Sequence, residues 1–378
     1  MAPKKNGPTF VFYGWVTTLV LLIGLGVYAY YFQTPLARGL VVTGLRDGFP
    51  WGFYIQNFMF FVGLAAGGLV VYASVYIFDA REFKPLSKLA VLQALVCTLL
   101  AALFVLIDLG RPERVFWFLL SPNFSSIFVF DFIILNSYLA ICAIALWLSH
   151  TGKGSPRFLL GMAIVSLTAA ISMHSITAWV LGFVRGEELW NTALMAPLFV
   201  SSAVVSGLAL LILISLLVSK FTGTRFKDEI FFKMGKLLAV VVLVDLFFLL
   251  AEMMTALWPG AGKPSYVEMY SLLLTGKYAP LFLSQVFLFG LLPFVLLVIP
   301  KIRKSIPVIA LASLLLVIGV FIKRFILLVK GLGVSAMGEL TSYAPTFQEV
   351  LVGVGLWAVG ALIITIGVKL LNIRAPEV

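Results

Sequence analysis

The chain has 378 residues, of which 62% are hydrophobic and only 11% are charged. Its mean hydropathy of +1.10 and its repeated apolar stretches, each of about the 20 residues that cross a bilayer core, leave no room for a soluble domain. The formal net charge of +11 does not require a nucleic acid partner, because the excess lies in short segments that can meet anionic membrane lipids.

The apolar stretches predict an all-α polytopic membrane protein with about ten transmembrane helices. The first stretch is long enough to span a bilayer, so it is interpreted as a retained helix and not as a cleaved signal peptide. The helices are expected near residues 12–32, 53–78, 87–107, 128–149, 158–181, 194–219, 236–257, 280–300, 306–329 and 350–371.

The basic residues predict the orientation of the chain. Most of the 27 Lys and Arg residues lie at the termini and in the connections that follow every second span, including Arg81, Lys153 and Lys301. Cytoplasmic segments near helix ends keep positive charge, so both termini are expected in the cytoplasm and the protein in the inner membrane. The opposite connections are longer, and they are expected to form a docking surface on the outer face.

Ionisable and amide side chains inside the spans are predicted to gather in the outer half of the membrane. A charged group at the bilayer centre costs at least about 2.5 kcal/mol, so such groups normally pair or line a polar pocket. A shared outer pocket explains the set; structural pairs, such as Asp108 with Arg111, or snorkelling are the alternative. The set is Asn57, Asp108, Asp131, His174, Glu252, Lys323 and Arg324, with Asp245 nearer the midplane.

The residues that could hold a redox metal are few. His150 and His174 are the two histidines, and they are predicted at opposite sides of the membrane, where they cannot ligate one haem iron. Cys97 and Cys142 are two isolated thiols, whereas an iron–sulfur cluster takes four. We therefore expect no haem, iron–sulfur cluster or other metal bound by this chain.

Several polar motifs resemble one family. Residues 108–114 read DLGRPER, residues 57–68 read NFMFFVGLAAGG, and residues 174–179 read HSITAW. Gly110 and Pro112 are expected to end the third helix at the membrane surface. Together the motifs resemble the NrfD/PsrC family, the membrane subunits of polysulfide-reductase-like quinone oxidoreductases, and the likeness covers most of the chain.

The resemblance implies an architecture, a cofactor and partners. It implies one integral membrane domain over 1–378 with four-helix bundles at 53–181 and 194–329 and flanking helices at 12–32 and 350–371. It implies a quinone, with menaquinone the expected one, bound near the outer face beside a ferredoxin-like iron–sulfur subunit. Ten spans favour the longer branch, which resembles the DsrP subunit of the DsrMKJOP complex or subunits of alternative complex III. Multihaem cytochrome c or DsrMKJO-like subunits are then further partners.

A quinol site needs a polar head-group pocket, a titratable group with access to water, and a nearby electron acceptor. His174, with an ordinary pKa of about 6.5, is the candidate proton acceptor, and Asp108 is expected to orient it or to relay the proton outward. The candidate quinone contacts are Asn57, Tyr54, Gln56, Arg111 and Trp179.

A proton path is a further hypothesis, carried by Asp131, Asp245, Glu252 and Arg324. Asp245 and Glu252 are two helical turns apart, so they share one face of the seventh span at a separation of roughly 10 Å. That spacing suits a relay through water or a third residue. A static ion pair of Arg324 with Glu252 is an equal alternative, and proton transfer across the whole membrane stays open.

Two other functions remain open from the sequence. A secondary transporter would also gather polar residues, but its site is expected near the midplane at broken helices, and no paired Gly or Pro interruptions occur at midspan. A non-catalytic membrane anchor for a peripheral redox complex would keep full quinol-dependent electron transfer after substitution of His174 and Asp108.

Overall fold

The computed structural model of the protein describes residues 8–33, 39–46, 49–184, 190–222, 226–258, 264–331 and 343–373. Within these ranges ten helices are long and apolar enough to cross a membrane, which confirms the predicted all-α polytopic fold. Lys4, Lys5 and Arg374 near the termini, and Arg38, Arg185 and Lys263 in the predicted outer connections, lie outside the described residues. The orientation of the chain therefore stays a prediction.

The spanning helices are numbered in chain order. They are α1 (Pro8–Gln33), α2 (Phe53–Ile77), α3 (Ser87–Asp108), α4 (Ile127–Thr151), α5 (Pro156–Gly182), α6 (Met195–Thr222), α7 (Asp228–Leu257), α8 (Ala279–Val298), α9 (Ile306–Gly331) and α10 (Phe347–Leu370). A short 3₁₀ helix, Arg81–Leu86, precedes α3, and a short α-helix, Pro264–Leu274, lies between α7 and α8.

The ends of the helices follow local chemistry. Gly110, just after α3, has φ of +64°, a left-handed conformation that favours glycine, and this confirms the predicted end of that helix. The seventh helix begins at Asp228, earlier than the predicted start at 236, because Asp228 and Glu229 occupy its first turn and stabilise the positive end of the helix dipole outside the apolar stretch. The helix Pro264–Leu274 was not predicted.

The central contact of the fold joins α2 to α6. A Cβ at Gly67 or Gly207 would overlap the backbone of the other helix, so these glycines allow the two backbones to touch. Across this crossing the Gln93 side-chain amide of α3 donates to the Leu64 carbonyl at 3.0 Å and to the Gly207 carbonyl at 2.8 Å. At this crossing α2 and α6 therefore meet through backbone contact and not through bulky side chains.

The remaining helices pack around this crossing in two sets. In the first half α2 packs on α3 and α5, and α4 packs on both α3 and α5; in the second half α6 packs on α7 and α9, and α8 packs on both α7 and α9. The flanking helix α1 packs on α10, which also contacts α2 and α3. The bundle boundaries at 53–181 and 194–329 stay a prediction.

Candidate functional site

At the predicted outer end of α2 and α10, a buried carboxylate ties the connecting segments together. Glu349 is fully buried, and it accepts hydrogen bonds from the Tyr343 hydroxyl at 2.6 Å, from the Gly44 N–H at 2.9 Å and from the Thr346 N–H at 2.8 Å. The Tyr343 hydroxyl also accepts from the Phe53 N–H at 2.8 Å. Burial, with the nearby Glu349, raises the pKa of Tyr343, so its hydroxyl stays a donor.

Asp108 lies beside this group as the last residue of α3. Its Oδ1 atom is buried, and it has no hydrogen-bond partner among the described residues. The carboxylate interacts electrostatically with Glu349 and with the phenol of Tyr54, and Tyr54 is itself buried. An unpartnered buried carboxylate oxygen is costly to the fold, so this atom is suited to a hydrogen bond from a bound molecule.

The alternative pairing of Asp108 with Arg111 is not found. Arg111 is exposed on the segment that follows α3, and the described salt bridges within 4.0 Å are Arg81–Asp79, Lys233–Glu82 and Lys323–Asp245. No described salt bridge within 4.0 Å therefore neutralises the Asp108 carboxylate. The assignment of Arg111 as a quinone contact stays a prediction.

The two amides predicted as quinone contacts join helices. The Asn57 amide donates to the Phe53 carbonyl at 2.8 Å, and its Oδ1 accepts from the indole N–H of Trp357 in α10 at 2.9 Å. The Gln56 amide lies 3.4 Å from the Phe321 carbonyl of α9. Both side chains are buried, and in this arrangement they hold α9 and α10 against α2.

His174 is buried deeper in the first half. Its Nε2 lies 2.9 Å from the Val62 carbonyl of α2, and its Nδ1 lies 2.6 Å from the Ala170 carbonyl of its own helix. Val62 is eight residues along α2 from Tyr54, roughly 12 Å. Asp108 therefore does not orient the imidazole, contrary to the prediction, because two backbone carbonyls do so. A protonated ring would donate to both carbonyls, whereas a neutral ring donates to one.

Asp131 and Trp179 are placed apart from these residues. Asp131 accepts a hydrogen bond from the Thr177 hydroxyl at 2.7 Å, which joins α4 to α5. The side chain of Trp179 is 42% exposed on the surface of the helices, stacked on Phe183 with the ring centroids 6.3 Å apart. The structure thus brings Asp108 and Tyr54 together but leaves Trp179 on the outside.

The second half contains a buried ion pair. The Lys323 ammonium of α9 lies 2.9 and 3.0 Å from the two carboxylate oxygens of Asp245 in α7. The Ser201 hydroxyl of α6 donates to the same carboxylate at 2.7 Å. Three helices therefore meet at Asp245, which compensates the cost of burying its charge.

Next to this pair lies a small cavity of about 70 Å³ that opens to the surface. Arg324 in its wall is 1% exposed, donates to the Ser202 hydroxyl at 2.8 Å, and stacks over the Phe199 ring at 3.7 Å from the centroid. Glu252 lines the same cavity, but no salt bridge within 4.0 Å joins it to Arg324. The proton-path residues thus divide: Asp131 lies in the first half, Glu252 and Arg324 line this cavity, and Asp245 binds Lys323 beside it.

The sequence interpretation missed several buried polar residues, Glu349 and Gln285 among them. Glu349 was not considered, although Thr346 and Glu349 form a capping box at the start of α10, and the pattern Thr-x-x-Glu before an apolar run is a recognised signal. Gln285 lines the second-half cavity, and a single Gln in an apolar stretch gives no comparable signal. Among the described residues, no group of three or more His, Cys, Asp or Glu could hold a metal ion.

Within the described ranges, the fold and these side chains define a helical membrane protein with ten candidate spans and buried ionisable groups in both halves. Residues 41–336 match the family model described as polysulphide reductase, NrfD. The chain belongs to this family, which confirms the resemblance seen in the motifs.

Individual relatives cover nearly the whole chain. It is 33% identical to a putative dimethyl sulfoxide reductase membrane subunit of Halobacterium salinarum, over 96% of this chain and 92% of the relative. It is 27% identical to the Hdr-like menaquinol oxidoreductase integral membrane subunit of Archaeoglobus fulgidus, over 97% and 95%. It is 26% identical to the menaquinone reductase integral membrane subunit of Nitratidesulfovibrio vulgaris, over 96% and 92%. The relatives are membrane subunits of oxidoreductase complexes.

Proposed function

We propose that the chain binds a quinone, menaquinone in the first instance, near the predicted outer face and exchanges electrons with an iron–sulfur subunit docked there. Two of the relatives are described as subunits of a menaquinol oxidoreductase and of a menaquinone reductase, which supports the choice of cofactor. A quinol releases two electrons together with two protons, so its site needs an electron acceptor nearby. We assign that acceptor, or the donor for the reverse reaction, to the partner subunit.

The observation that carries the proposal is the environment of the Oδ1 atom of Asp108. A quinol head group presents hydroxyl donors, and a buried carboxylate oxygen without a partner in the described residues is the acceptor that such a donor requires. Tyr54 of α2, buried within electrostatic range, is the predicted head-group contact beside it. Hence Asp108 at the end of α3 fits the reduced form of the head group.

Asp108 is then the first proton acceptor. It lies at the end of its span, where the chain leaves the membrane at Gly110, so a proton on its carboxylate has a short way to the predicted outer surface. His174 remains a candidate for holding a proton deeper in the bundle, since a protonated imidazole keeps both of its carbonyl contacts. The network of Glu349 and Tyr343 fixes the start of α2, and thereby Tyr54, next to Asp108.

Orientation, partners and proton translocation belong to the same proposal. We place both termini in the cytoplasm, the membrane as the inner membrane, and the iron–sulfur subunit over the outer connections. Any further redox subunits, of the multihaem cytochrome c or DsrMKJO-like kind, would attach through that subunit. Asp245, Glu252 and Arg324, with Asp131 in the other half, would serve a proton path if the redox reaction drives one.

The test is quinol-dependent electron transfer in membranes that contain the assembled complex. Asp108→Asn keeps the size of the side chain but cannot take a proton, and we expect about a 100-fold loss of turnover, the usual contribution of a general base. Glu113→Gln is the matched control, because Glu113 is an exposed carboxylate on the adjacent turn. Full turnover by Asp108→Asn would contradict the assignment and favour a passive anchor.

A further inference from the structure

The last spanning helix, α10, lies beyond residues 41–336, the part of the chain that matches the family model. It nevertheless packs against α2 and α3, the two helices at the proposed head-group site. A Cβ at Gly353 would overlap the Phe53 ring of α2. One turn further along, the Trp357 indole donates to the Asn57 side chain at 2.9 Å. Helices α2 and α10 therefore run parallel and in register from the predicted outer face.

Helix α10 runs antiparallel to α3, and the contacts between them fix the relative level of their residues. A Cβ at Gly367 would meet the Leu92 side chain. A Cβ at Gly360 would meet the Leu100 side chain. Asp108 is eight residues beyond Leu100. Because both helices rise about 1.5 Å per residue, this register places Asp108 level with the first two turns of α10, where the buried carboxylate of that helix lies.

The segment between α1 and α2 links Glu349 to the end of α3. Its Gly44 N–H donates to the Glu349 carboxylate at 2.9 Å. Its Leu40 side chain would lie 3.2 Å from a Cβ at Gly110, which is two residues beyond Asp108. Glu349 therefore holds the segment that packs against the end of α3, and its charge interacts electrostatically with Asp108.

The described surroundings of the two carboxylates contain no close counter-charge. Neither Asp108 nor Glu349 takes part in a described salt bridge within 4.0 Å, and Arg111 on the segment after α3 is exposed. Glu349 is fully buried, and the three hydrogen bonds that it accepts compensate the burial of its charge. The described part of the site therefore carries negative charge around the unpartnered oxygen of Asp108.

The two redox forms of a quinone head group differ in what they present to such a site. A quinol presents hydroxyl groups, which donate to a carboxylate, whereas a quinone presents carbonyl oxygens, which only accept. A carbonyl oxygen carries partial negative charge, so the carboxylates repel it, and this repulsion is stronger in a partly buried site than in water. The charge at the end of α3 thus favours the reduced form.

We propose that Glu349 is a specificity-determining residue of the head-group site at Asp108: its negative charge makes the site bind the reduced head group more tightly than the oxidised one. Glu349 acts through its charge and does not touch the head group. The inference rests on the proposed function and deepens it, because that function assigns no role to the charge of Glu349. A site with this preference captures a quinol and releases the quinone, which suits a subunit that oxidises quinol.

The test is equilibrium binding of menadione and of its quinol to the purified complex, measured by titration calorimetry without oxygen. The complex is fully oxidised for the quinone and fully reduced for the quinol, so no electron is transferred during the measurement. We expect the quinol to bind more tightly to the wild-type complex. Glu349→Gln should lower the ratio of the two affinities about threefold to tenfold, the effect of removing one nearby charge in a partly buried site.

The chain offers a matched control for the loss of charge. Glu349→Gln keeps an oxygen for the Gly44 and Thr346 N–H groups, which both donate to Oε2, and its amide can donate to the Tyr343 hydroxyl. Tyr343→Phe removes a hydrogen bond of Glu349 but keeps the charge, so it should leave the ratio unchanged. Leu40→Lys is a second variant that leaves Glu349 intact, places a cation beside Gly110, and should also lower the ratio.

The outcomes separate this inference from the proposed function. An unchanged ratio in Glu349→Gln, or an equal change in Tyr343→Phe, would overturn the role of the charge. If Glu349→Gln does not assemble, an unchanged ratio in Leu40→Lys would overturn it. Weaker quinol binding in Asp108→Asn, together with an unchanged ratio in Glu349→Gln, would remove the role of Glu349 alone. Binding of both probes that is unaffected by Asp108→Asn would contradict the head-group site itself.

Discussion

The ion pair of Lys323 with Asp245 gives the sharpest stability prediction. Lys323→Met removes the ammonium but keeps much of the volume of the side chain. Among the described residues it leaves the Asp245 carboxylate with the Ser201 hydrogen bond and the more distant charge of Arg324. The two charged side chains are 13% and 12% exposed, so water cannot replace the lost cation. Removal of one partner of a buried pair costs about 3 to 5 kcal/mol, and we expect a loss of that size in the free energy of unfolding.

The control is a second Lys pair of the same protein. Lys233 contacts Glu82 at 3.1 Å, but these side chains are 56% and 41% exposed, and Lys233→Met should change the free energy of unfolding by less than about 1 kcal/mol. The double variant Lys323→Met with Asp245→Leu should recover most of the lost stability, because it leaves no unpaired buried charge. Unfolding is followed by circular dichroism in mixed micelles as the fraction of denaturing detergent rises. Equal effects of the two Lys variants, or a double variant as unstable as Lys323→Met, would refute the reasoning.

Three further predictions concern helix packing, the hydrogen-bond network of Glu349 and Tyr343, and the orientation of the chain in the membrane. Gly207→Ala places a Cβ against the backbone of α2 and should sharply reduce the yield of folded, membrane-inserted protein. Gly24→Ala is the control, because Gly24 has open space around it and its yield should not change. Equal yields of the two variants would contradict the close contact of α2 with α6. Tyr343→Phe should lower stability by about 1.5 to 3 kcal/mol, the contribution of a hydrogen bond to a charged group, in the same unfolding assay. Asn123→Cys should react with a membrane-impermeant thiol reagent applied from outside, and Lys153→Cys should not; the reverse pattern would invert the assigned topology.

The stability supplied by the network of Glu349 and Tyr343 has a defined dependence on pH. Burial raises the pKa of Tyr343 in the folded protein, so the folded state holds its phenolic proton more tightly than the unfolded state. The contribution to stability is fully present below the ordinary tyrosine pKa of about 10 and is lost as the pH rises through the higher folded value. The Tyr343→Phe variant should therefore lack this alkaline loss in a pH series of unfolding measurements.

The amino-acid sequence was sufficient for the class, the number of spans and the family. A span needs about 20 apolar residues whatever it packs against, so hydropathy alone predicts helices such as α2 and α6. The end of α3 could be predicted for a similar reason, because Gly110 and Pro112 end a helix through their own backbone conformation. The family motifs are short-range patterns as well, and the family match confirms them.

Partner choice among the buried polar residues depended on the packing of helices distant in the chain. Lys323 and Asp245 are 78 residues apart, and the sequence analysis considered a pair of Arg324 with Glu252 as an equal alternative to a proton relay, without predicting the pair that forms. The rotation of each helix about its own axis sets which side chains meet, and this rotation is fixed by contacts such as Gly67 on Gly207. His174 shows the same dependence: its position in α5 was clear, but the Val62 carbonyl that holds it became a neighbour only when α5 packed against α2.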